Sequence, residues 1–371
     1  MRVTGNPLWG SCIVRVLPLT FLSSCVILAQ SEVIRSTTRL VQVRVVANNR
    51  DGTLVRNLRR DEFEIRDNGK PQPLAFFAAD QTTTPLDPES PGTAADTPAT
   101  GEYTVILLDW LNAGTTDRFR ADDALRSVFK TIRPRQKIAL YVLGLEPPNS
   151  PHPLRLIRNF AADSAELANI IEDPEMLPNP DIVDAPGKFD AGYGGNLRNP
   201  GVEEQLFDWN NRIRDTLRAL SELANNLAPL YGRKTLIWLS TGFSVVINGS
   251  VMTGARNTEV PYLDLVERAL AQFNRSDITV NTINSAGLGA TTSRSYGDTL
   301  RDFAERTGGI AFSGRNDLDE GVRAALDDID KDYTLGFLAP EGAAPGIHSI
   351  EVRTSRPHIN LRFRRTYEVA R

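Results

Sequence analysis

The sequence predicts an α/β protein: a doubly wound, mostly parallel sheet flanked by a small β domain that the N- and C-terminal segments form together. Two observations carry this prediction. Within residues 101–332, continuous apolar segments alternate with amphipathic segments of helical period, which is typical of a parallel sheet covered on both faces. Within residues 36–80 and 333–371, apolar and polar residues alternate at period two, which indicates half-exposed antiparallel strands.

Residues 1–29 have the features of a secretory signal peptide. Arg2 and Arg15 precede the apolar run "VLPLTFLSSCVILA" (16–29), and the polar "QSE" follows it. The run is too short for a comfortable membrane span. We therefore expect a secreted or periplasmic protein whose mature chain lacks a membrane span. An uncleaved anchor and a lipid attached to Cys25, in "LSSC", are the alternatives.

The composition is that of an ordinary globular protein, with 41% hydrophobic and 24% charged residues among 371. The formal net charge is −4, and no long basic run is present. A nucleic-acid partner therefore has no support in the composition. Both cysteines lie within the signal region, so the mature chain would hold no disulfide and would depend on core burial for its stability.

The N-terminal β segment contains two strand patterns, "LVQVRVVANNRDGTLV" and "DEFEIRDNGKPQPLAFF", each broken by a turn-rich stretch. Residues 81–100, "QTTTPLDPESPGTAADTPAT", hold almost no large apolar group and are predicted to be a linker. After residue 332, "YTLGFLAP", "HSIEVRT" and "INLRFRRTYEV" alternate again. Because each terminal segment is too small to be stable alone, we expect the two to pair into one β domain.

The α/β part is predicted from its strands and helices in chain order. The strands are "YTVILLD", "KIALYVLG", "LRLIRNF", "KTLIWLS", "ITVNTI" and "IAFS". The helices are expected at about 117–132, from near Asp163, at about 202–230, and in "YLDLVERALAQFN", "TLRDFAERTG" and "DLDEGVRAALDDIDKD". Residues 173–201 are predicted to be a long loop rich in proline, glycine and asparagine.

Asp109 ends the first strand of the α/β part, and ligands of such sheets bind at the carboxyl ends of the strands. Asn112, Thr115, Thr116 and Asp117 follow within a few residues. Oxygen ligands of this kind suit Mg²⁺ or Ca²⁺. The alternative is structural: Thr116 or Asp117 caps the following helix, and Asp109 accepts hydrogen bonds from loop amides.

The order of these elements, with the acid-ended first strand, "LIWLSTGFS" and the final helix, resembles a von Willebrand factor type A (vWA) domain. The chain is more closely similar to a bacterial family of secreted vWA-related proteins. Members have an N-terminal segment of the type "VQVRVVANNRDGTLVRNLRRDEFEIRDNGKPQPLAFF" and a C-terminal one of the type "YTLGFLAP…HSIEVRT…LRFRRTYEV". The resemblance spans about residues 38–368 and implies a vWA fold of the Rossmann-like class.

The resemblance also implies a metal-ion-dependent adhesion site, whose first motif is Asp-x-Ser-x-Ser. Here the stretch is Asp109-Trp110-Leu111-Asn112-Ala113, so the aspartate matches and the two serine positions hold side chains that cannot ligate. Where the family has a later aspartate, this chain has Ser240 and Thr241.

Asp109, Asn112 and Ser240 are thus the candidate ligands for Mg²⁺ or Ca²⁺, and no cofactor is certain. With one carboxylate the cation site would be weak. We favour a degenerate site in which Asp109 is hydrogen-bonded by Asn112, Ser240 or nearby amides.

Three residues are predicted to form a ligand-contacting rim beside this site: Trp110, Thr241 and Phe243. The two aromatic side chains would offer an apolar contact surface to a protein or cell-surface ligand. The alternative is that both pack under the loop 173–201.

Enzymatic chemistry has little support. His152, His348 and His358 all lie outside the predicted strand ends, so no Ser-His-Asp set converges there. No glycine-rich loop matches a phosphate-binding or dinucleotide-binding pattern. The sequence therefore favours a non-enzymatic protein-binding or adhesion module. A working cation-dependent adhesion domain and an extracytoplasmic metal-assisted hydrolase using Asp109 are the alternatives.

Overall fold

The structure is a computed structural model. It describes residues 40–79, 101–131, 137–144, 153–161, 167, 169–170, 200–243, 262–288, 294–328, 333–340 and 342–369. The predicted signal peptide with Cys25, the linker 81–100, nearly all of the loop 173–201 and His152 lie outside the described residues. Among the described helices, none has an apolar stretch of the length that a membrane span requires.

Most elements lie where the apolar patterns predict them. The strands are β1 (Leu40–Asn49), β2 (Phe63–Asp67), β3 (Lys70–Gln72), β4 (Leu74–Ala78), β5 (Gly101–Asp109), β6 (Lys137–Leu143), β7 (Leu154–Ala161), β8 (Gly232–Ser240), β9 (Ile278–Asn284), β10 (Ala311–Phe312), β11 (Tyr333–Leu338), β12 (Gly346–Thr354), β13 (Ile359–Phe363) and β14 (Thr366–Val369). The helices are α1 (Thr115–Thr131), α2 (Pro200–Leu227), α3 (Leu263–Arg275), α4 (Arg294–Thr307) and α5 (Leu318–Asp327). Near the helix expected from Asp163, residues 167 and 169–170 are helical.

The central sheet has six strands in the order β10-β9-β8-β5-β6-β7. All pairs are parallel except β6 with β7, which is antiparallel. In β5, Val105 and Leu107 contribute to the core on one face, and Ile106 and Leu108 contribute to the core on the other. A strand buried on both faces must be apolar at successive positions, which explains the continuous run before Asp109. The predicted doubly wound, mostly parallel sheet is confirmed.

The helices cover both faces of this sheet. Side chains of α2, α3 and α4 pack on one face, and side chains of α1 and α5 pack on the other. Trp238 of β8 lies in the first core, in contact with Phe243 and Phe303. Each fully buried aliphatic or aromatic side chain contributes about 1.5–3 kcal/mol of hydrophobic stabilisation.

The two chain ends form antiparallel sheets together, as predicted. One sheet has the order β13-β1-β11-β4 and the other β14-β12-β2-β3. N-terminal β1 pairs with C-terminal β11 and β13, and N-terminal β2 pairs with C-terminal β12. The inward-facing residues form a separate apolar core that includes Val43, Ile65 and Phe337. Neither end could complete these sheets without the other.

The β part also contacts the α/β part directly. Arg44 of β1 donates a hydrogen bond to Thr279 at the start of β9. Arg364 donates to the Asn274 carbonyl at the end of α3 over 2.8 Å. Residues Thr38–Arg371 accordingly form one compact unit. The β part lies at the amino ends of the parallel strands, which leaves the carboxyl ends for the candidate site.

Candidate functional site

The candidate site lies at the carboxyl ends of β5 and β8, which are adjacent and parallel in the middle of the sheet. Leu108 pairs with Leu239, so Asp109 and Ser240 end their strands at the same level. The next turn returns Asn112 toward Asp109. The structure therefore brings together Asp109, Asn112 and Ser240, the three candidate ligands predicted from the sequence.

The Asp109 carboxylate is 1% exposed and is surrounded by hydrogen-bond donors. Ser240 Oγ donates to Oδ2 over 2.6 Å, and Trp238 Nε1 donates to the same oxygen over 3.3 Å. The Asn112 amide nitrogen donates to Oδ1 over 3.1 Å. Asn112 Nδ2 lies 3.0 Å from Oδ1 and 2.8 Å from Oδ2. All of these groups belong to the same chain.

The orientation of the Asn112 side chain follows from its second partner. Thr216 Oγ1, on α2, donates its proton to the Arg212 carbonyl over 2.8 Å. It must therefore accept from Asn112, and the group 2.9 Å away is Asn112 Nδ2. One hydrogen of this amide points to Thr216 and the other to Asp109. A nitrogen donor, rather than an oxygen ligand, thus faces the carboxylate.

Burial raises the pKa of the Asp109 carboxyl above its ordinary value, and the hydrogen bonds from Ser240, Asn112 and Trp238 offset part of this rise. Because the pKa is higher in the folded state, the contribution of this group to stability is full below its unfolded pKa. It is lost as the pH rises through the folded pKa. The ionised carboxylate is thus costly at neutral pH, and its donors reduce that cost.

These residues form only part of the ligand set that the family motif implies. Leu111 and Ala113, at the motif positions for serine, are buried apolar side chains. The Asn112 Nδ2 and Trp238 Nε1 groups that contact the Asp109 oxygens are nitrogen donors, which cannot act as ligands to a cation. Within the described ranges, no group of three or more His, Cys, Asp or Glu residues could hold a metal. Asp109 is the one carboxylate among the three candidate ligands, so the described residues supply a poor ligand set for Mg²⁺ or Ca²⁺.

The predicted rim needs a correction, because its three side chains are buried: Trp110 is 4% exposed, Thr241 2% and Phe243 1%. Trp110 contributes to the core beneath α1, and Phe243 packs against Trp238. Thr241 Oγ1 donates to the Asn112 carbonyl over 2.6 Å. These residues support the site from below and do not offer a contact surface.

Two other apolar side chains are exposed at this edge of the sheet: Phe119 on α1 (49%) and Leu288 after β9 (61%). Arg120, next to Phe119, donates to the Ala286 carbonyl over 2.8 Å. The Leu288 amide donates to Asn316 Oδ1 over 2.8 Å. The start of α1, which carries Phe119, is therefore hydrogen-bonded to the segment after β9, which carries Leu288.

Some sequence expectations about nearby residues change with the structure. Helix α1 begins at Thr115, so Thr116 and Asp117 lie inside its first turn and do not precede it as caps. An acid there still interacts favourably with the helix dipole. Among the described histidines, His348 pairs with Asp67 in the β part and His358 is exposed, so neither is at the site.

Sequence reasoning missed Trp238 and Thr216. Trp238 could have been found, because residues two apart on a strand face the same side and Ser240 was already a candidate. Thr216 comes from the middle of α2, more than 100 positions from Asn112 along the chain. No local pattern indicates that contact.

No family model matches the chain, and no curated protein matches it. Solved structures are similar to it at low identity. The manganese-loaded TRAP protein of Plasmodium vivax has a TM-score of 0.35 and 10% identity, over 72% of this chain and 95% of that one. Human COPII-coat protein Sec24c has a TM-score of 0.31 and 9% identity, over 73% of this chain and 44% of that one.

A von Willebrand factor type A structure from Catenulispora acidiphila has a TM-score of 0.34 and 10% identity, over 91% of this chain and 75% of that one. At such identities a likeness concerns the fold alone.

Proposed function

We propose that this protein is an exported, non-enzymatic protein-binding module of the vWA type, with a degenerate metal-ion-dependent adhesion site. Its partner is another protein or a cell-surface ligand. The observation that carries the proposal is the state of Asp109, whose two carboxylate oxygens are already hydrogen-bonded by Asn112, Ser240 and Trp238. These donors stabilise the negative charge that a bound cation would otherwise neutralise.

The proposed role of Asp109 is therefore internal. It joins the end of β5 to β8 directly and to α2 through Asn112 and Thr216. A buried carboxylate is tolerated only when its oxygens are hydrogen-bonded, and here the chain supplies every donor. Partner binding would then depend on the exposed groups above this network, and Phe119 and Leu288 are the large apolar ones that the structure describes there.

The first test is metal addition. We expect Mg²⁺, Ca²⁺ or Mn²⁺ at millimolar concentration to leave the Tm of the mature chain within about 1 °C of its value in EDTA. A cation at a saturated native site would raise Tm by roughly 5 °C or more. Differential scanning fluorimetry measures the shift. A rise of that size that disappears in Asp109→Asn would overturn the degenerate site and favour cation-dependent adhesion or metal-assisted hydrolysis.

The second test concerns the exposed edge. We expect the double variant Phe119→Ser/Leu288→Ser to keep the wild-type Tm, because both side chains are largely exposed. Its capture of partner from a cell-envelope extract should fall about tenfold or more, since apolar anchors dominate most interfaces. Quantitative pull-down followed by mass spectrometry measures this.

A matched control is available at the opposite edge of the sheet. Tyr231 precedes β8 and is 74% exposed, so Tyr231→Ser removes an equally accessible aromatic group far from the candidate site. This variant should capture partner as the wild type does. Equal loss in Tyr231→Ser, or full capture by the double variant, would contradict the assignment of this edge.

A further inference from the structure

The inner face of the β14-β12-β2-β3 sheet ends in a buried polar cluster of His348, Asp67 and Tyr367. Along β2 and β12, the inward-facing positions hold Phe63, Ile65, Ile350 and Val352, which form the apolar core. At the end of that face the apolar side chains give way to His348 on β12 and Asp67 on β2. The cluster lies far from the candidate site and has no part in the proposed function.

Both ring nitrogens of His348 face acceptors. Nδ1 lies 2.9 Å from Asp67 Oδ1, and Nε2 lies 2.8 Å from the Ala344 carbonyl. A neutral imidazole carries one N–H and can donate to only one of them. The imidazolium carries two and donates to both. The geometry of the pocket therefore matches the protonated ring.

The Ala344 carbonyl belongs to the turn between β11 and β12. Gly342 in this turn and Gly346 at the first position of β12 have positive φ angles of 73° and 131°, and the Ala343 amide donates to the Pro340 carbonyl. Through these two contacts the His348 ring joins the turn to Asp67 on β2. We propose that His348 is a pH-dependent clamp. When protonated, its ring donates to both Asp67 and the Ala344 carbonyl and so holds residues 342–346 against the β part, and when deprotonated it loses one of these two hydrogen bonds.

The charged and titratable groups around the ring agree with this assignment. Asp67 faces the ring from β2. The hydroxyl of Tyr367, on β14, lies 3.4 Å from His348 Nδ1. Lys70 on β3 is paired with Asp67 in register and is exposed. Glu341, in the same turn, lies outside the described residues. The described anion at the ring is therefore the Asp67 carboxylate.

Burial would lower the pKa of His348, but the hydrogen bond to Ala344 and the Asp67 carboxylate raise it, and the result lies above the ordinary value. The contribution of the protonated ring to stability is therefore full below about 6.5, the unfolded value. It is lost as the pH rises through the folded pKa. The clamp is closed in mildly acidic surroundings and weakened in alkaline ones.

The test is an NMR titration of the mature chain between pH 5 and 9, with the His348 ring signals assigned by their loss in His348→Gln. We expect His348 to titrate above about 6.5. Hydrogen exchange of the amides at 342–346, corrected for the intrinsic pH dependence, should accelerate across the same range. A His348 that titrates at or below 6.5, or protection of the turn that is independent of its titration, would overturn the proposal.

Variants separate the clamp from general effects of pH. In Asp67→Asn the ring loses its anion, so the pKa of His348 should fall and the turn should open at a lower pH. In His348→Gln the Tm difference between pH 6 and 8.5 should shrink by about 2–4 °C relative to wild type. The control His358→Asn changes an exposed histidine with a φ of 66°, which asparagine tolerates, and should leave that difference unchanged.

Discussion

Asp109→Ala is expected to lower the free energy of unfolding by about 3 kcal/mol or more. The substitution leaves the donors of Asn112, Ser240 and Trp238 in a buried site without their acceptor. Each unsatisfied buried polar group costs roughly 1–3 kcal/mol, and the several donors around this carboxylate act together. The raised pKa of Asp109 offsets part of the loss, because removing the carboxylate also removes a costly buried charge.

Urea unfolding at neutral pH measures the effect as a lower midpoint with an unchanged m-value. Asp109→Asn should be milder than Asp109→Ala, because it keeps one oxygen acceptor while introducing a donor that opposes Asn112 Nδ2. Asp264→Ala, an exposed acid in the first turn of α3, is the control and should change stability by less than about 1 kcal/mol. If Asp109→Ala unfolded at the wild-type midpoint, the internal role proposed for this carboxylate would be wrong.

Gly309→Ala is expected to destabilise the protein by about 3 kcal/mol or more. A Cβ at Gly309 would lie 2.0 Å from the Val280 carbonyl oxygen and 2.6 Å from its carbon, both backbone atoms of the central sheet. Relief of the clash would displace the following residue, whose carbonyl accepts from Thr282 and whose amide donates to Asn281. The contact between β9 and β10 would be lost with it.

Gly314→Ala is the matched control for this substitution. Gly314 has a φ of 71°, and a Cβ there would meet nothing within 4 Å. Its cost should therefore be limited to backbone strain of about 1–2 kcal/mol. Thermal unfolding of both variants then compares backbone strain without a clash, in Gly314→Ala, with a steric clash without a positive φ angle, in Gly309→Ala. Equal destabilisation of the two would show that close packing of Gly309 on β9 is not what the fold requires.

The local patterns were sufficient for most of the secondary structure. Strand β5 was predictable because a strand buried on both faces must be apolar at Val105 to Leu108 in succession. Strands β1 and β12 were predictable for the opposite reason, since each is buried on one face and therefore alternates. Element ends were less accurate, as at α1, because Thr116 and Asp117 suit a first turn as well as a cap.

The candidate site was only half predictable. Asp109 and Ser240 could be placed together because adjacent parallel strands end at the same edge, once both strands were recognised. The burial of Trp110 and Phe243 was not predictable, since a large aromatic residue after a strand can face either solvent or the core. Here both face the core, and Phe119 and Leu288 are exposed in their place.

By itself, the sequence determined the class of fold, the pairing of the two chain ends and the position of Asp109 at the end of a central strand. These follow from hydrophobic period, which is a local property of the chain. Only the tertiary structure decided that Asp109 faces Asn112, Ser240 and Trp238, that Thr216 orients Asn112, and that His348 meets Asp67. Such contacts join residues distant along the chain, and their geometry depends on how helices and sheets pack.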